Sequence, residues 1–243
     1  MARCKEVWTL KLGILSAAVI GGLALPAQAA EFDLSGTATF TTDYIFRGLS
    51  NSDENPAVQA SLDATYGMFY AGIWGSNTDF GDGIEIDYYA GIAPTWQSFT
   101  FDIAGLYYTF PGATGIDYFE LKTGVSWTGG AWTLGANNYW SPDNFGLGIN
   151  SNATEGSVSY EFNGKLFNYF SPSVSALIGY QSYEAILPDY TYWNAGLTLG
   201  FMDNWSADIR YWDTSYNDAQ CITNIGRPGA CDARVVGTVS ASF

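Results

Sequence analysis

The chain has 243 residues, with 24 acidic side chains against 9 basic ones, no histidine, and 17% aromatic content. A net charge of -15 excludes a nucleic-acid surface, which needs Lys and Arg to neutralise phosphates, and the absence of His excludes His-dependent catalytic triads, dyads and metal sites. Aromatic residues spread along the whole sequence exclude a disordered acidic tail, and a mean hydropathy of +0.00 suits a chain of half-apolar strands.

In chain order, the first element reads as a secretory leader. Arg3, Lys5 and Lys11 surround a positive start, Leu12 to Leu25 is an apolar run, and Pro26-Ala27-Gln28-Ala29 offers small residues for cleavage. The run is about 14 residues, short of the roughly 20 that a transmembrane anchor needs. Cleavage after Ala29, with Ala30 as the alternative, leaves a single domain over 30–243. It takes Arg3, Lys5, Lys11 and Glu6 away from the 9 basic and 24 acidic residues, leaving 6 and 23. Cys4 leaves with the leader; Cys221 and Cys231 remain, and in an exported chain they are expected to form a disulfide.

The rest divides into about twelve segments of alternating polarity, near 34–46, 57–66, 68–76, 84–94, 99–109, 117–127, 131–141, 157–166, 173–183, 190–201, 205–213 and 234–243. Strand side chains point alternately to opposite faces, so residues i and i+2 share a surface. In 84–94, Ile84, Ile86, Tyr88, Ala90 and Ile92 oppose Glu85, Asp87 and Tyr89. In 205–213, Trp205, Ala207, Ile209 and Tyr211 oppose Asp208, Arg210 and Trp212. The same register puts the ionised residues of every segment on the polar face, as lipid requires when a mid-bilayer charge costs roughly 2–4 kcal/mol.

Connections alternate in length. Tight turns are expected near Gly67, Gln97-Ser98, Gly129-Gly130, Ser171-Pro172 and Met202-Asp203-Asn204; longer loops are expected at about 47–56, 77–83, 110–116, 142–156, 184–189 and 214–233. Aromatics flank the tight turns (Tyr66, Phe69, Trp96, Phe99, Trp127, Trp132, Phe170, Phe201 and Trp205), and the last segment closes on Phe243. This predicts an all-β, antiparallel, up-and-down transmembrane barrel with short periplasmic turns, longer extracellular loops and an aromatic girdle. A soluble secreted sandwich is the alternative, but it does not predict aromatics gathered at one class of turn.

The order of blocks sharpens this. Thr41-Thr42-Asp43-Tyr44-Ile45-Phe46-Arg47-Gly48-Leu49-Ser50 is followed by Pro56-Ala57-Val58-Gln59, Phe69-Tyr70-Ala71-Gly72-Ile73-Trp74-Gly75-Ser76-Asn77 and Glu85-Ile86-Asp87-Tyr88-Tyr89-Ala90-Gly91. Over 36–91 this series resembles the TorF-type porins of proteobacterial outer membranes. The resemblance implies a leader-bearing Gram-negative barrel acting as a pore, and brings no substrate. A strand ending in Phe243 resembles the signal by which such barrels reach their assembly machinery.

The polar face carries Asp43, Asp63, Glu85, Asp87, Asp102, Glu120, Glu161 and Asp208, with Arg47, Lys122, Lys165 and Arg210 as the basic set. Such a lining implies a channel for passive diffusion of small polar solutes with a preference for cations. Tyr70, Trp74, Tyr89, Tyr108, Tyr118, Tyr139, Tyr183 and Trp212 share that face and would narrow it, so a structural or surface-interaction barrel with an occluded lumen is the second reading. No nucleophile constellation, cofactor motif or calcium-loop spacing is present, so no enzyme, cofactor or metal is expected. The loop acids Asp53, Glu54, Asp79, Asp82, Asp143, Glu155, Asp213, Asp218 and Asp232 suit solvation and cation bridging to lipopolysaccharide.

Overall fold

The computed structural model describes residues 31–243, so the expected leader, 1–29, lies outside the described residues. Twelve long strands carry the chain: β1 (Phe32–Thr41), β2 (Ala57–Tyr66), β3 (Phe69–Asn77), β4 (Ile84–Ile92), β5 (Phe99–Thr109), β6 (Tyr118–Gly129), β7 (Trp132–Ser141), β8 (Ser151–Glu161), β9 (Ser171–Tyr183), β10 (Tyr190–Phe201), β11 (Trp205–Thr214) and β12 (Arg234–Ser242). Each pairs antiparallel with its neighbour in sequence, and β1 pairs with β12 from Thr37↔Ser242 to Thr41↔Thr238. The sheet is therefore a closed barrel without free edges, the arrangement that satisfies every backbone group in lipid. After β4 the register runs on through Thr95–Trp96, which face Thr100 and Phe99; Pro94 interrupts the ladder because it has no N–H to give.

The period-2 pattern sets the faces. Phe40, Val58, Leu62, Ile73, Phe101, Ile103, Leu134, Ile178, Leu197, Ile209 and Val235 point outward and stay exposed, while Glu85, Asp87, Asp102, Glu120, Lys122 and Arg210 are buried inside. Trp132 meets Tyr160 at 4.7 Å and Phe170 meets Phe201 at 6.0 Å at the turn end. A second outward set, Tyr107, Trp140, Tyr180, Trp193 and Tyr211, lies nearer the loop end, so there are two aromatic belts rather than the single one expected. One carboxylate, Asp213, departs from the expected segregation: it falls in the outward register next to the end of β11, and accepts the Thr214 backbone N–H at 2.8 Å.

Three boundaries differ from expectation. The first strand ends at Thr41 rather than 46, because the chain there turns into the barrel. The eighth runs over Ser151–Glu161 rather than 157–166; Asn152, Thr154 and Gly156 hold its outward positions, so that stretch shows no polarity contrast. The turn expected at Ser171-Pro172 is instead the segment 162–170, and those two residues open β9. Between β11 and β12 a helix, α1 (Asp218–Ile225), is set by an Asn217 capping box and a left-handed Gly226, and Cys221 is bonded to Cys231.

Candidate functional site

The segment after β1 does not form an external loop. Ile45–Phe46 pairs with Leu49–Ser50 as a short hairpin, and the residues on it, Asp43, Tyr44, Arg47, Leu49, Ser50, Asn51 and Ser52, are all buried. Its two-residue turn has Arg47 at φ 50 and Gly48 at φ 82, the mirror-image turn that suits a right-twisted hairpin and calls for positive φ at both positions. A Cβ on Gly48 would lie 2.6 Å from Thr214 Cγ2 and 2.8 Å from Tyr192 Cβ, so the tip is seated against the wall made by β10 and β11.

The entry of the chain into the lumen is fixed by Asp43. It accepts the hydroxyls of Ser50 at 2.7 Å and Ser52 at 2.9 Å on one oxygen and the Arg234 guanidinium at 2.7 Å on the other. Ser52 also accepts the Tyr44 backbone N–H at 2.9 Å. At the tip, Arg47 donates to both oxygens of Glu120 at 2.7 Å and to Gln181 at 3.2 Å. Its guanidinium lies over the Tyr139 ring at 4.9 Å and the Phe46 ring at 4.7 Å. Burial alone would disfavour that charge, but Glu120 outweighs it and keeps Arg47 protonated. Glu120 accepts a third bond from Tyr108 at 3.0 Å, and Tyr108 stacks on Tyr118 at 4.5 Å.

Above this pair, toward the loop end, Phe145 packs on Tyr118 at 4.5 Å and Tyr216 on Tyr190 at 4.3 Å. The cavity left between the hairpin and the cap formed by Phe145 and α1 is about 40 Å³, lined by Arg47, Leu49, Phe145, Gln181, Tyr190 and Asn224 among others. That is room for a few waters and not for a sugar-sized solute. The disulfide segment clamps the base of the hairpin: Arg227 pairs with Asp53 at 2.9 Å and with Asp79, and Arg234 reaches Glu54 at 3.6 Å.

Toward the turn end the lining changes to Ser, Thr and Gly, with three charged clusters. Lys122 pairs with Asp102 at 2.6 Å, and Tyr70 donates to the same carboxylate at 2.7 Å. Arg210 holds Asp208 at 3.0 Å, Asn194 at 2.6 Å and Ser175 at 2.9 Å, with Thr198 donating to Asp208 at 2.7 Å. Asp63 accepts Ser61 at 2.9 Å and the Tyr89 hydroxyl.

Of the expected lining residues, the structure brings Asp43, Arg47, Asp63, Glu85, Asp87, Asp102, Glu120, Lys122, Asp208 and Arg210 to the interior, though Asp43 and Arg47 arrive on the inserted hairpin rather than on a strand. Glu161 ends β8 at the exposed turn rim. Lys165 is not on a strand at all: β8 stops four residues earlier, and Lys165 lies exposed in the turn. Sequence reasoning missed Glu155, expected in a loop but placed on β8 accepting Tyr192 at 2.8 Å, and missed Arg234, Gln181 and Tyr192. The alternation Tyr190-Thr191-Tyr192-Trp193 carried the signal for Tyr192, masked by the outward Trp193.

A closed twelve-stranded antiparallel barrel with an apolar exterior between aromatic belts and a charged interior defines an outer-membrane-type β-barrel. Among solved structures, the chain is similar to the KdgM porin (TM-score 0.59, 8% identity, covering 86% of this chain and 99% of that one). It is also similar to the NanC porin (TM-score 0.55, 14% identity, covering 87% and 99%). A KdgM porin in complex with disordered oligogalacturonate matches with a TM-score of 0.57 at 8% identity, covering 86% of this chain and 98% of that one. No curated protein sequence matches the chain. The sequence profile of the Gcw_chp family, described as bacterial proteins of unknown function, matches residues 26–243. The chain belongs to that family.

Proposed function

We propose that the chain is an outer-membrane channel for small polar solutes, cation-preferring and held shut by the inner hairpin. The observation that carries the reading is the charge pairing of the interior. Arg47, Lys122, Arg210 and Arg234 each face a carboxylate, while among the described residues Asp63, Glu85, Asp87 and Glu155 have no basic partner in an ion pair. The surplus is negative, and carboxylate-lined pores favour cations. The resemblance to TorF-type porins implies a pore, and brings no substrate or ion preference. An anionic oligosaccharide such as the one carried by the KdgM complex would find no uncommitted guanidinium among the described residues.

In this reading the loop end faces outward and the turn end faces the periplasm, with both belts at the lipid headgroups. The leader is removed near Ala29, Phe243 is offered to the assembly machinery, and loop acids contact lipopolysaccharide through divalent cations. No catalytic role is part of it. A structural barrel with a permanently occluded lumen is the second reading, and the buried hairpin favours it. Single-channel recording on the folded protein in a planar bilayer decides: discrete conductance steps with a cation-biased reversal potential support the channel, and a folded barrel silent at all voltages supports the second reading.

A further inference from the structure

Two interior carboxylates stand apart from the pairing that organises the rest. Glu85 and Asp87 occupy successive inward positions of β4 and are 2% and 5% exposed. The Tyr44 hydroxyl hydrogen-bonds Glu85, but among the described residues Glu85 Oε2 and Asp87 Oδ1 are buried with no hydrogen-bond partner, and neither residue forms an ion pair with Lys or Arg. The nearby Glu120 is already neutralised by Arg47. An unpaired carboxylate is costly to remove from water, so two of them side by side call for protons or a counter-charge. Two protons would neutralise the pair one group at a time; a single divalent cation neutralises both together.

Around the two carboxylates lie one serine hydroxyl and two aromatic rings. Two positions along one face of a strand are about 7 Å apart, close enough for two carboxylates to converge on one ion. Ser76 is the cross-strand neighbour of Glu85 and Trp74 that of Asp87, and the Tyr44 ring of the inner hairpin covers Trp74 at 5.4 Å. Hard cations take carboxylate, hydroxyl and water oxygens in such flexible sets.

We infer that Glu85 and Asp87 bind a divalent cation of the calcium type inside the barrel, beneath Tyr44 of the hairpin. The inference does not need the pore to conduct, because it is read by binding alone. The test is terbium luminescence and calcium competition on the purified, folded barrel. Trp74 and Tyr44 serve as built-in sensitisers. The expected result is a site in the native protein, displaced by calcium, whose affinity falls by roughly tenfold or more in Glu85→Gln and again in Asp87→Asn. Asp33→Asn, at the exposed start of β1, leaves it unchanged. Trp74→Phe lowers the sensitised emission while leaving the stoichiometry measured by calorimetry intact, a readout that does not depend on the carboxylate variants folding. A native barrel with no Trp74-sensitised, calcium-displaceable site at neutral pH, or such a site that survives in the folded Glu85→Gln/Asp87→Asn double variant, overturns the inference.

Discussion

Arg47 and Glu120 lie 73 positions apart in sequence and meet inside the barrel through two parallel 2.7 Å contacts, with Glu120 fully buried. One residue comes from a two-residue turn on the inserted segment and the other from the wall formed by β6. Everything else about the hairpin, from the Asp43 anchor at its base to the Gln181 contact at its tip, converges on holding that pair.

Removing one partner of a buried ion pair leaves the other charge uncompensated, at a cost of about 3–5 kcal/mol. Arg47→Ala is therefore expected to shift the seated-to-released equilibrium of the hairpin by about two to three orders of magnitude or more. In planar bilayers this reads as frequent openings where the native protein is mostly closed. The double variant with Glu120→Ala, which strands no charge, should be less perturbed in stability than Arg47→Ala alone. Identical open probability in native protein and Arg47→Ala would show that the ion pair does not hold the hairpin shut.

Gly48 offers an uncharged route to the same state. Its φ of 82 and the 2.6 Å approach to Thr214 leave no place for a methyl group. A Gly48→Ala variant should have a displaced hairpin tip in an intact barrel: unchanged heat-modifiable gel mobility, raised conductance, and new protease sensitivity within 42–56. Protection equal to native would mean the wall yields instead.

How far this was legible in the sequence depends on the range of the interaction. The lumen positions of Glu85, Asp87, Glu120 and Asp208 follow from alternation alone, because a strand's period is local and lipid penalises a charge on the wrong face. The inward fold of 42–56 was not legible. Its polar, Gly-containing composition is that of any loop, and what draws it inward is Glu120, Gln181 and Arg234, contributed by β6, β9 and β12. The start of β8 was hidden for a different reason: Asn152 and Thr154 face outward but bond to Asn138 of β7 at 2.8 and 2.9 Å, so their polarity is satisfied across the strand pair and mimics a loop.

The Cys221–Cys231 bond closes a small loop, for which cross-linking is worth roughly 3 kcal/mol of local chain entropy. That loop carries Arg227, whose partners Asp53 and Asp79 lie beside the base of the hairpin and in the next loop. Paired Cys→Ser substitution, or reduction, should leave the barrel intact while exposing 215–233 to limited proteolysis and raising the frequency of channel opening. If the loop stays protected after reduction, α1 and its capping box hold the cap without the bond.

Phe243 closes the seam between β1 and β12. Its N–H donates to Gly36 O at 3.0 Å, Gly36 N–H donates back at 2.9 Å, and the ring lies on Gly36, where an added Cβ would be 2.6 Å away. Phe243→Ala should lower the temperature at which the folded gel band converts to the unfolded one, and Gly36→Val, which displaces the ring, should do the same. Folding into detergent in vitro separates this seam effect from recognition by assembly factors in cells; a variant that folds normally in detergent yet fails to appear in the membrane points to recognition.

Selectivity should respond to the charges that the pairing leaves over. Among the described residues, Asp63 and Glu155 hold their carboxylates with hydroxyl donors and no basic partner, so each presents net negative charge to the lumen. On the Arg47→Ala background, where conductance is expected, Asp63→Asn with Glu155→Gln should move the reversal potential in a KCl gradient toward zero. Lys122→Gln and Arg210→Gln strand Asp102 and Asp208 and should move it further toward cations. Both effects should fade in molar salt, where the screening length shrinks to about 3 Å. Reversal potentials that ignore all four substitutions would place the selectivity filter outside this lumen.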